Sequence, residues 1–335
     1  MTDPVRRRSS APTIYDIAQQ AGVSASTVSR ALNKPGRINA ETERRIREAA
    51  DALGYRLNPM ARSLQTGLTG NIALIMSDMT NPVYFAFVRG AERVTAEAGS
   101  TMLFADSQER PEVESDTAER MLRVADGLIL VGSRLDDERI VQLAGAKPVI
   151  TVNRLVEGLP STTMDVVAGI DQLLDHLRGL GHHDLAYLSG PQTSWMNARR
   201  RQVLAAGAAE RGMALTEVPT SGPTIEAGRE AVGAVMTTGA TAVLAYNDLL
   251  AFGLLQGARE AGVAVPGALS VVGFDDIFGA DLLTPSLTTV RSPMGLVGEH
   301  AVRAVLREIA GEAPHEPPAL PTELVVRESS GPAPR

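Results

Sequence analysis

Apolar residues recur at two different spacings along the chain, and each spacing predicts a different kind of element. Near the N-terminus, the apolar residues Ile14, Ile17, Ala18 and Ala21 follow one another at three- and four-residue intervals. This is the spacing of one face of an α-helix, so a short amphipathic helix is predicted here. Gly22 comes next, and glycine readily takes the left-handed conformation that ends a helix.

A second short helix is predicted directly after this turn. Ser24 is a typical N-cap residue, and the helix runs from Ala25 to Leu32. Val28 and Leu32 lie one turn apart and face the first helix. The opposite face carries small and polar side chains, namely Ala25, Ser26, Ser29 and Arg30. The pattern predicts a helix-turn-helix whose second helix fits a major groove, although helical hairpins inside other domains share it.

A third helix is predicted from Ala40 to Leu53. Its apolar positions again follow helical spacing: Ile46, Ala49, Ala50 and Leu53. Gly54 then ends the helix, and Tyr55 is expected to pack back under the bundle. The three helices together define a head of residues 13–57.

From Asn71 onward, short continuous apolar runs alternate with helical stretches. The strand candidates are IALIMS, TMLFA, GLILVG, PVITV, LAYLSG, AVLAY and SVVGFDD. Continuous apolar strands separated by helices are typical of a parallel sheet that helices cover on both faces. The number of such units, about a dozen, favours an α/β core of two doubly wound parallel-sheet subdomains in tandem.

The charge of the chain is divided unevenly between these two parts. The 335 residues carry a net charge of −7. Residues 1–67 hold 11 Lys+Arg and 6 Asp+Glu, which gives a net charge of +5. The remaining residues hold 21 Lys+Arg and 33 Asp+Glu, which gives a net charge of −12. A basic head on an acidic body indicates that only the head touches a polyanion such as DNA.

The remaining composition excludes several classes of protein. The chain has no cysteine, so disulfides and thiolate chemistry are excluded. No run is long and apolar enough to span a bilayer. Residues 1–12 are expected to be a disordered basic tail rather than a secretory signal, because Arg6 to Arg8 lead into Ser and Pro. We therefore expect a cytoplasmic protein without a membrane partner.

Three stretches of the head carry a resemblance to a known family. QQAGVS, TVSRALN and the downstream ADALGYRLNPMARSL are similar to the headpiece of the lactose-repressor (LacI/GalR) family of bacterial regulators. The resemblance covers nearly the whole chain. It implies a homodimeric transcription factor, a repressor, that binds a pseudo-palindromic operator in double-stranded DNA. It also implies a periplasmic-binding-protein-like core that holds a small-molecule effector.

The resemblance assigns residues 58–70 to a hinge helix and linker. Pro59 suits the first turn of a helix, and a helix this short is marginal until it is docked. In the family this helix pairs with its dimer mate over the minor groove, and a leucine, here Leu64, wedges between central base pairs. Simple core packing is the alternative role for Leu64. The expected DNA contacts are Thr13, Tyr15, Ser24, Ala25, Ser26, Thr27, Ser29, Arg30, Asn33, Asn58, Ala61 and Leu64.

Arg30 is the residue most directly expected to read a base. It is the only long hydrogen-bond donor on the open face of the second helix, where relatives often carry bulkier residues in place of Ala25 and Ser26. Arg30 is therefore expected to contact a guanine, with apolar contact from Ala25 and a short hydrogen bond from Ser26.

The core, residues 71–335, is expected to divide into two discontinuous subdomains. The first comprises about residues 71–164 and 293–320, and the second about 165–292 and 321–330. The family's fold implies that the chain crosses between them near Met164, Ser292 and Pro321. The tail after Gly311 is rich in proline and lacks leucine heptads, so a dimer is favoured over a tetramer.

Ligands of parallel α/β sheets bind beyond the carboxyl ends of the strands, and polar or aromatic residues at those positions are the candidate effector contacts. They are Met79, Asn81, Phe85, Ser133, Asn153, Met164, Trp195, Arg201, Asn247, Asp275 and Ser292. The family carries an arginine at the place of Arg201 that grips effector hydroxyls or carboxylates. The family's usual Gly-Phe after this arginine is replaced by Leu204 and Ala205, so packing under the pocket is expected to differ.

Each of these residues also has a purely structural alternative. Phe85 can face the core, Trp195 can cover the cleft, and Arg201 can belong to a solvated run of arginines. Asn247 and Asp275 can be helix caps or turn formers, with Asp248 and Asp276 structural in either case. His182 and His183 form a turn pair without the further ligands of a metal site, and no metal or cofactor is expected.

The candidate cleft residues bind hydrogen-bonding groups and include no activated nucleophile, so an enzyme is disfavoured. A solute-binding protein is also disfavoured, because the chain carries a DNA head. The asparagine, arginine and aspartate side chains suit a polyhydroxylated effector, a sugar or sugar derivative, with a nucleoside or purine as the alternative. Whether the effector induces or corepresses is left open.

Overall fold

The computed structural model describes residues 12–33, 37–55, 67–313 and 320–335. The chain separates into two compact units, Met1–Gly70 and Asn71–Arg335. No helix within the described ranges combines the length and the apolar character needed to cross a membrane.

The first unit is a small helical bundle. Its helices are α1 (Ile14–Ala21), α2 (Ala25–Asn33) and α3 (Ala40–Ala52). Ile17, Val28 and Ile46, one from each helix, are completely buried against one another. The helical spacing of apolar residues therefore does define the core, and the predicted ends differ from the observed ones by a single residue.

The helix ends of this unit are fixed by local hydrogen bonds. Gly22 has a φ of 64° and ends α1. The Ser24 hydroxyl accepts a 3.2 Å bond from the backbone N–H of Thr27 at the start of α2. Asn39 caps α3 in the same way, since its Oδ1 accepts from the N–H of Glu41 at 2.8 Å. These bonds satisfy N–H groups that the first helical turn cannot pair.

The second unit contains two sheets with helices on both faces. The strands that belong to the first sheet are β1 (Asn71–Met76), β2 (Thr101–Asp106), β3 (Gly127–Val131), β4 (Val149–Val152) and β5 (Ser161–Thr162). The strand order is β2-β1-β3-β4-β5, and all pairings are parallel. The helices of this part of the chain are α4 (Val83–Glu97), α5 (Pro111–Leu122) and α6 (Asp137–Ala144).

A short strand, β6 (Met164–Asp165), leads from the first sheet towards the second. The strands of the second sheet are β7 (Asp184–Leu188), β8 (Ala214–Val218), β9 (Ala242–Ala245), β10 (Ser270–Asp275) and β11 (Thr288–Arg291), with β13 (Glu323–Val325) added antiparallel at the edge. Its helices are α7 (Val166–Gly179), α8 (Trp195–Glu210), α9 (Ile225–Glu230), α10 (Val232–Thr237) and α11 (Asp248–Glu260). The strand order is β13-β11-β10-β9-β7-β8.

The chain passes between the two sheets three times. It leaves the first sheet through β6 and returns after β11 into α12 (Met294–Ile309), which packs against α4. It leaves again through β12 (Leu320–Pro321), which pairs parallel with β6. The α4–α12 contact is close, since a Cβ on Gly90 would lie 2.0 Å from the carbonyl oxygen of Gly295.

Apolar strands in the centre of each sheet are buried on both faces, which explains their continuous apolar sequence. Within β1, Ile72 and Leu74 belong to one core cluster, whereas Ala73 and Ile75 belong to another. The prediction of an α/β core with two predominantly parallel sheets is confirmed. The sequence analysis missed β8 and β11, because ALTEV is a largely exposed edge strand and TTVR has only one strongly apolar residue.

Candidate functional site

The first candidate site is the open face of α2 in the head. Ser26 and Arg30 are exposed there, whereas Ser29 and Thr27 are half-buried. Arg30 forms no ion pair or hydrogen bond with any residue that the structure describes, in contrast to Arg44 and Arg47, which pair with glutamates on α3. An unengaged guanidinium on the exposed face of a second helix is free to reach a base edge.

Ala25 is less open than expected. It is half-buried and packs against the core of the head, so only part of its methyl group is available for contact with DNA. The Ser24 hydroxyl lies 2.8 Å from that of Ser26 and 2.9 Å from that of Thr27, and these bonds hold the polar groups at the start of α2 together.

The start of α1 carries two further predicted DNA contacts, Thr13 and Tyr15. Thr13 is exposed, and its N–H and hydroxyl both donate to the Asp16 carboxylate at 2.7 Å. These two bonds lower the pKa of Asp16. Tyr15 is 71% exposed, which is high for an aromatic side chain and suits contact with a partner. The side chain of Asn33, and Asn58, Ala61 and Leu64, lie outside the described residues, so their DNA contacts stay predictions.

The second candidate site is a cleft between the two sheets of the core. It encloses a cavity of about 50 Å³. Side chains of the first sheet and its helices reach it from one side, namely Asn81, Tyr84, Ser133, Arg134, Asn153 and Met294. Others reach it from the second sheet, namely Ser194, Trp195, Met196, Arg200, Tyr246, Asn247 and Asp275, and Met164 reaches it from the crossing strand. Ligand pockets usually measure about 300–1,000 Å³, so the cleft must widen to admit a ligand.

Arg200 is the central charged residue of this cleft. Its Nη2 lies 3.0 Å from Oδ1 of Asp275, and its Nη1 donates to the carbonyl oxygen of Tyr246. Its guanidinium carbon lies 3.6 Å from the centre of the Phe274 ring and 5.1 Å from that of Tyr246. The side chain is only 4% exposed, and its buried Nε has no hydrogen-bond partner among the described residues.

This geometry corrects the prediction for Arg201. The Arg201 side chain is 55% exposed, pairs with Glu217 at 3.3 Å and does not line the cavity. One residue along an α-helix turns the side chain by about 100°. The neighbour Arg200 therefore faces the cleft while Arg201 faces solvent. The sequence did contain the signal, because Arg200 lies four residues from both Met196 and Leu204, which are buried on the inner face of α8.

Asp275 is held rigidly at the carboxyl end of β10. Its φ of 116° lies in the left-handed region that non-glycine residues rarely adopt. Its Oδ1 accepts a 3.1 Å bond from the Ser292 hydroxyl in addition to that from Arg200. Burial raises the pKa of Asp275, and the charge of Arg200 and the two hydrogen bonds oppose that rise. The positive charge of Arg200 and the negative charge of Asp275 therefore largely cancel within the cleft.

Asp248, at the start of α11, holds the strand and loop next to Asp275 through two hydrogen bonds. It is completely buried, and its carboxylate accepts from the Thr289 hydroxyl at 2.6 Å and from the N–H of Ile277 at 2.8 Å. Burial, and next the charge of Asp275, raise the pKa of Asp248 well above its ordinary value. Asp276 pairs instead with Arg291 and Arg327. Both residues therefore have the structural roles that the sequence suggested for them.

Asn153 faces Arg200 from the first sheet. It follows β4 with a φ of 55°. Its buried Oδ1 has no hydrogen-bond partner among the described residues, and its Nδ2 lies 3.9 Å from the Met294 sulfur, a weak contact. A buried acceptor without a partner costs about 1–3 kcal/mol, so this position favours a ligand that can donate a hydrogen bond.

The sequence analysis did not name Arg134, which also lines the cavity. Its Nε lies 2.5 Å from Glu109, its Nη1 donates to the Gly132 carbonyl at 2.8 Å, and its side chain is 4% exposed. Ser133, which was predicted, precedes it and accepts from the N–H of Leu135 at 3.2 Å. A buried arginine directly after a strand is hard to tell from a surface arginine by pattern alone.

Two predicted contacts line the cavity while also accepting a bond from a backbone N–H in the first turn of a helix, and Asn247 is the N-cap of α11. The Asn247 Oδ1 accepts from the N–H of Leu250 at 3.0 Å, and its Nδ2 donates to the Pro223 carbonyl at 3.1 Å. The Asn81 Oδ1 accepts from the N–H of Val83 at 3.1 Å. The cap alternative thus holds for Asn247, whose remaining hydrogen-bonding capacity towards a ligand is small.

Three further predicted contacts do not line this cavity. Met79 is 46% exposed in the loop after β1 and does not line the cleft cavity. Phe85 and Ser292 line an adjoining pocket of about 440 Å³ instead. Phe85 points outward because it lies on the side of α4 away from buried Phe87. Ser292 acts on the cleft indirectly, through its bond to Asp275.

The histidine turn has a structural role. His182 is completely buried, with Nδ1 2.8 Å from the Thr241 hydroxyl and Nε2 2.9 Å from the Gly331 carbonyl. These bonds tie the C-terminal segment to the second sheet. No group of three or more metal-ligating side chains occurs within the described ranges.

Comparisons with known proteins match both the head and the core of the chain. The model of the family described as bacterial regulatory proteins, lacI family, matches residues 13–58, and that of a periplasmic binding protein-like domain matches residues 174–330. The transcriptional regulator DegA of Bacillus subtilis is 31% identical over 331 residues, covering 96% of this chain and 98% of DegA. The regulator GalS of Salmonella typhimurium is 32% identical over 307 residues, covering 89% of this chain and 90% of GalS.

A solved structure extends the likeness to the whole architecture. The Lac repressor dimer bound to operator and the anti-inducer ONPF matches with a TM-score of 0.85 and 25% identity, covering 96% of this chain and 99% of that one. The resemblance found in the sequence is thereby confirmed. The chain belongs to the lacI family of bacterial DNA-binding transcriptional regulators.

Proposed function

We propose that this regulator is a homodimeric repressor whose affinity for a pseudo-palindromic operator is switched by a polyhydroxylated effector, a sugar or sugar derivative, bound in the cleft of the core. Arg30 reads the operator in the major groove, and Leu64 enters its central step. Its place of action is the cytoplasm, where the bacterial chromosome lies.

One observation carries the proposal. Asn153 Oδ1 on one side of the cleft and Arg200 Nε on the other are both buried and both without a partner among the described residues. The first can only accept a hydrogen bond and the second can only donate one. A hydroxyl group does both, so a molecule with several hydroxyls satisfies the two sides at once. Such a ligand stabilises the conformation in which the two sides of the cleft lie close together, relative to one in which they are apart.

Solved neighbours support the chemical class. The regulator CelR in a cellobiose complex matches with a TM-score of 0.69 and 27% identity, covering 95% of this chain and 99% of CelR. A lacI-family regulator of Enterococcus faecium with bound ribose matches with a TM-score of 0.69 and 26% identity, covering 78% of this chain and 99% of that regulator. Both of these neighbours were solved with a bound sugar.

Transmission to DNA requires that the effector prefer one arrangement of the two subdomains. A ligand that binds both arrangements equally shifts neither. Coupling of this kind is typically about 1–3 kcal/mol, which corresponds to about a 5- to 150-fold change in operator affinity. The segment proposed to carry it, residues 58–70, lies mostly outside the described ranges. Short isolated helices are in general only marginally stable in water, so a small displacement can decide whether one forms.

Catalysis is not part of the proposed function. The charged cleft residues are paired, Arg200 with Asp275 and Arg134 with Glu109, and the other polar groups that line the cavity are amides and hydroxyls. A screen of the purified protein for hydrolysis or oxidation of every sugar that binds it would reveal an activity if one existed.

The proposal is tested by ligand binding and operator binding together. A thermal-shift screen of the full chain against sugars, with nucleosides as the second class, identifies binders, because a ligand of the native state raises the melting temperature. The operator is selected from random duplex DNA, and its affinity is then measured by fluorescence anisotropy with and without each binder. A binder that leaves operator affinity unchanged contradicts the switch.

The variant Asn153→Gly tests the site itself. It removes the unpaired acceptor and relieves the left-handed backbone, so the fold is expected to be kept. Effector affinity is expected to fall by about 1–3 kcal/mol while operator affinity without effector stays unchanged. Full effector response in this variant contradicts the placement of the effector.

A further inference from the structure

A larger chamber adjoins the inner cavity of the cleft. It measures about 480 Å³, against about 50 Å³ for the inner cavity, and the two share Met164 and Trp195 as lining residues. Its volume alone is that of an ordinary small-molecule pocket. The ligand space of the cleft is therefore divided into a tight inner part and a roomy outer part.

The outer chamber presents hydrogen-bonding groups that are not needed by the fold. Arg199 and Gln202 line it from α8, and their only described contact is a 3.2 Å bond from Arg199 Nη1 to Gln202 Oε1. The Gln202 amide N–H groups and the remaining donors of Arg199 are thus available to a ligand. Across the chamber, Asp165 uses one carboxylate oxygen to cap α7 through the N–H of Val167 at 3.0 Å, which leaves the other as an acceptor.

The chamber also has apolar surface. Leu155 is 54% exposed in the loop that follows β4 and lines the chamber from the first subdomain. Trp195, half-buried at the start of α8, lines both cavities and so forms part of the boundary between them. An aromatic ring beside donors and acceptors suits a sugar ring, which has apolar C–H faces and a polar hydroxyl edge.

We infer that the effector is a disaccharide or a glycoside, with one sugar ring in the inner cavity, which widens to admit it, and a second ring in the outer chamber against Trp195, Arg199 and Gln202. This inference rests on the proposed function, since it specifies which sugar class occupies the same cleft. The inner cavity recognises the first ring through Asn153 and Arg200, and the outer chamber supplies additional affinity for the second.

The test compares matched sugars on the full chain by isothermal titration calorimetry. Glucose is compared with maltose and cellobiose, and galactose with lactose and melibiose. At least one disaccharide is expected to bind about tenfold or more tightly than its own monosaccharide, a gain that corresponds to two or three added hydrogen bonds. A monosaccharide that binds as tightly as every disaccharide containing it overturns the inference and leaves the proposed function standing.

Variants locate the second ring. Arg199→Ala and Gln202→Ala are each expected to reduce the ratio of disaccharide to monosaccharide affinity to about threefold or less. Arg229→Ala is the matched control, because Arg229 is also a half-exposed helical arginine of the second subdomain, and it pairs with Glu260 at 3.7 Å. The control is expected to keep the wild-type ratio.

The possible results separate the two claims. An unchanged ratio in both Arg199→Ala and Gln202→Ala places the second ring elsewhere and overturns the inference. Binding of nucleosides but of no sugar overturns the inference and changes the effector class of the proposed function. Absence of binding by sugars, nucleosides and an extended panel of glycosides contradicts both.

Discussion

Replacing Arg200 or its neighbour Arg201 with alanine distinguishes a cleft arginine from a surface arginine. Arg200→Ala removes the partner of Asp275, whose side chain is only 7% exposed, together with the contact to the Phe274 ring. Arg201→Ala removes a 3.3 Å pair with Glu217, whose partners are 55% and 37% exposed. The two variants lose the same group from adjacent positions of one helix.

The expected magnitudes differ severalfold. Removing one partner of a buried pair typically costs about 3–5 kcal/mol, because the other charge stays buried and uncompensated. Exposed pairs are worth about 0.2–1 kcal/mol. A destabilisation of about 3 kcal/mol with a urea dependence of about 3 kcal/mol per molar lowers the unfolding midpoint by about 1 M. The Arg201→Ala midpoint is expected to move by about 0.3 M or less on the same scale.

Trp195 fluorescence allows urea unfolding to be followed at the cleft itself. It is the only tryptophan of the chain and it lines the cleft, so its fluorescence reports the loss of structure there during urea unfolding. Effector affinity is measured on the same two variants. Arg200→Ala is expected to abolish the effector response, whereas Arg201→Ala is expected to keep it.

The pH dependence gives an independent check. Burial already raises the pKa of Asp275, and Arg200 opposes that rise. Without Arg200 the folded-state pKa rises further, so protonation of Asp275 relieves the cost as the pH falls towards the ordinary carboxyl value of about 3.9. The stability difference between wild type and Arg200→Ala is therefore expected to be largest at neutral pH and to shrink under acid conditions. Equal midpoints for Arg200→Ala and Arg201→Ala at neutral pH would refute this reasoning.

Three further predictions concern the head, the hinge segment and the C-terminal segment. Arg30→Ala is expected to weaken operator binding by about 1–3 kcal/mol and to relax one base position per half-site, which selection from random DNA would show; an unchanged base preference contradicts the assignment. Leu64→Ala is expected to weaken specific binding and reduce the operator bend, as measured by gel mobility of circularly permuted fragments, and an undiminished bend counts against the wedge role. Burial lowers the pKa of His182, so the stability linked to this residue is fully present above about pH 6.5 and is lost as the pH falls below that value. One such group changes the free energy of unfolding by at most about 1.4 kcal/mol per pH unit. His182→Gln is therefore expected to weaken the pH dependence of the free energy of unfolding, measured in urea between pH 5 and pH 7. A pH dependence equal to that of wild type would exclude His182 as its source.

The parts of the fold that follow a simple apolar period could be predicted from the sequence. Ile17, Val28 and Ile46 form the core of the head because their spacing leaves them on inward faces. The same holds for the central strands, whose continuous apolar runs reflect burial on both faces of a sheet. Strands such as β8 escape prediction because an edge strand needs no apolar run to hold its hydrogen bonds.

The cleft was harder to predict, because its residues are set by rotation about a helix or by the path of a loop. Arg201 was predicted in place of Arg200 because the resemblance was used to choose within a run of three arginines. The spacing of buried residues along α8 identifies Arg200 instead. Arg134 gave no such signal, since its burial depends on Glu109 from a distant loop. The role of Asn247 was predicted as two alternatives, and the structure shows the cap while leaving the ligand contact untested.

The position of the cleft relative to the crossings explains how a small molecule can act on the whole core. Met164 lines the cavity and begins the crossing strand β6, while Ser292 lies in the crossing between β11 and α12 and holds Asp275. Any change in the relative orientation of the two sheets must be absorbed by the backbone at these crossings, because the strands themselves are fixed by their ladders. A ligand that bridged Asn153 and Arg200, as proposed, would therefore act beside the crossings. If the two subdomains rotated there, a small change in the width of the cleft would become a larger displacement at their far ends, and this is the change that a coupled hinge segment would sense.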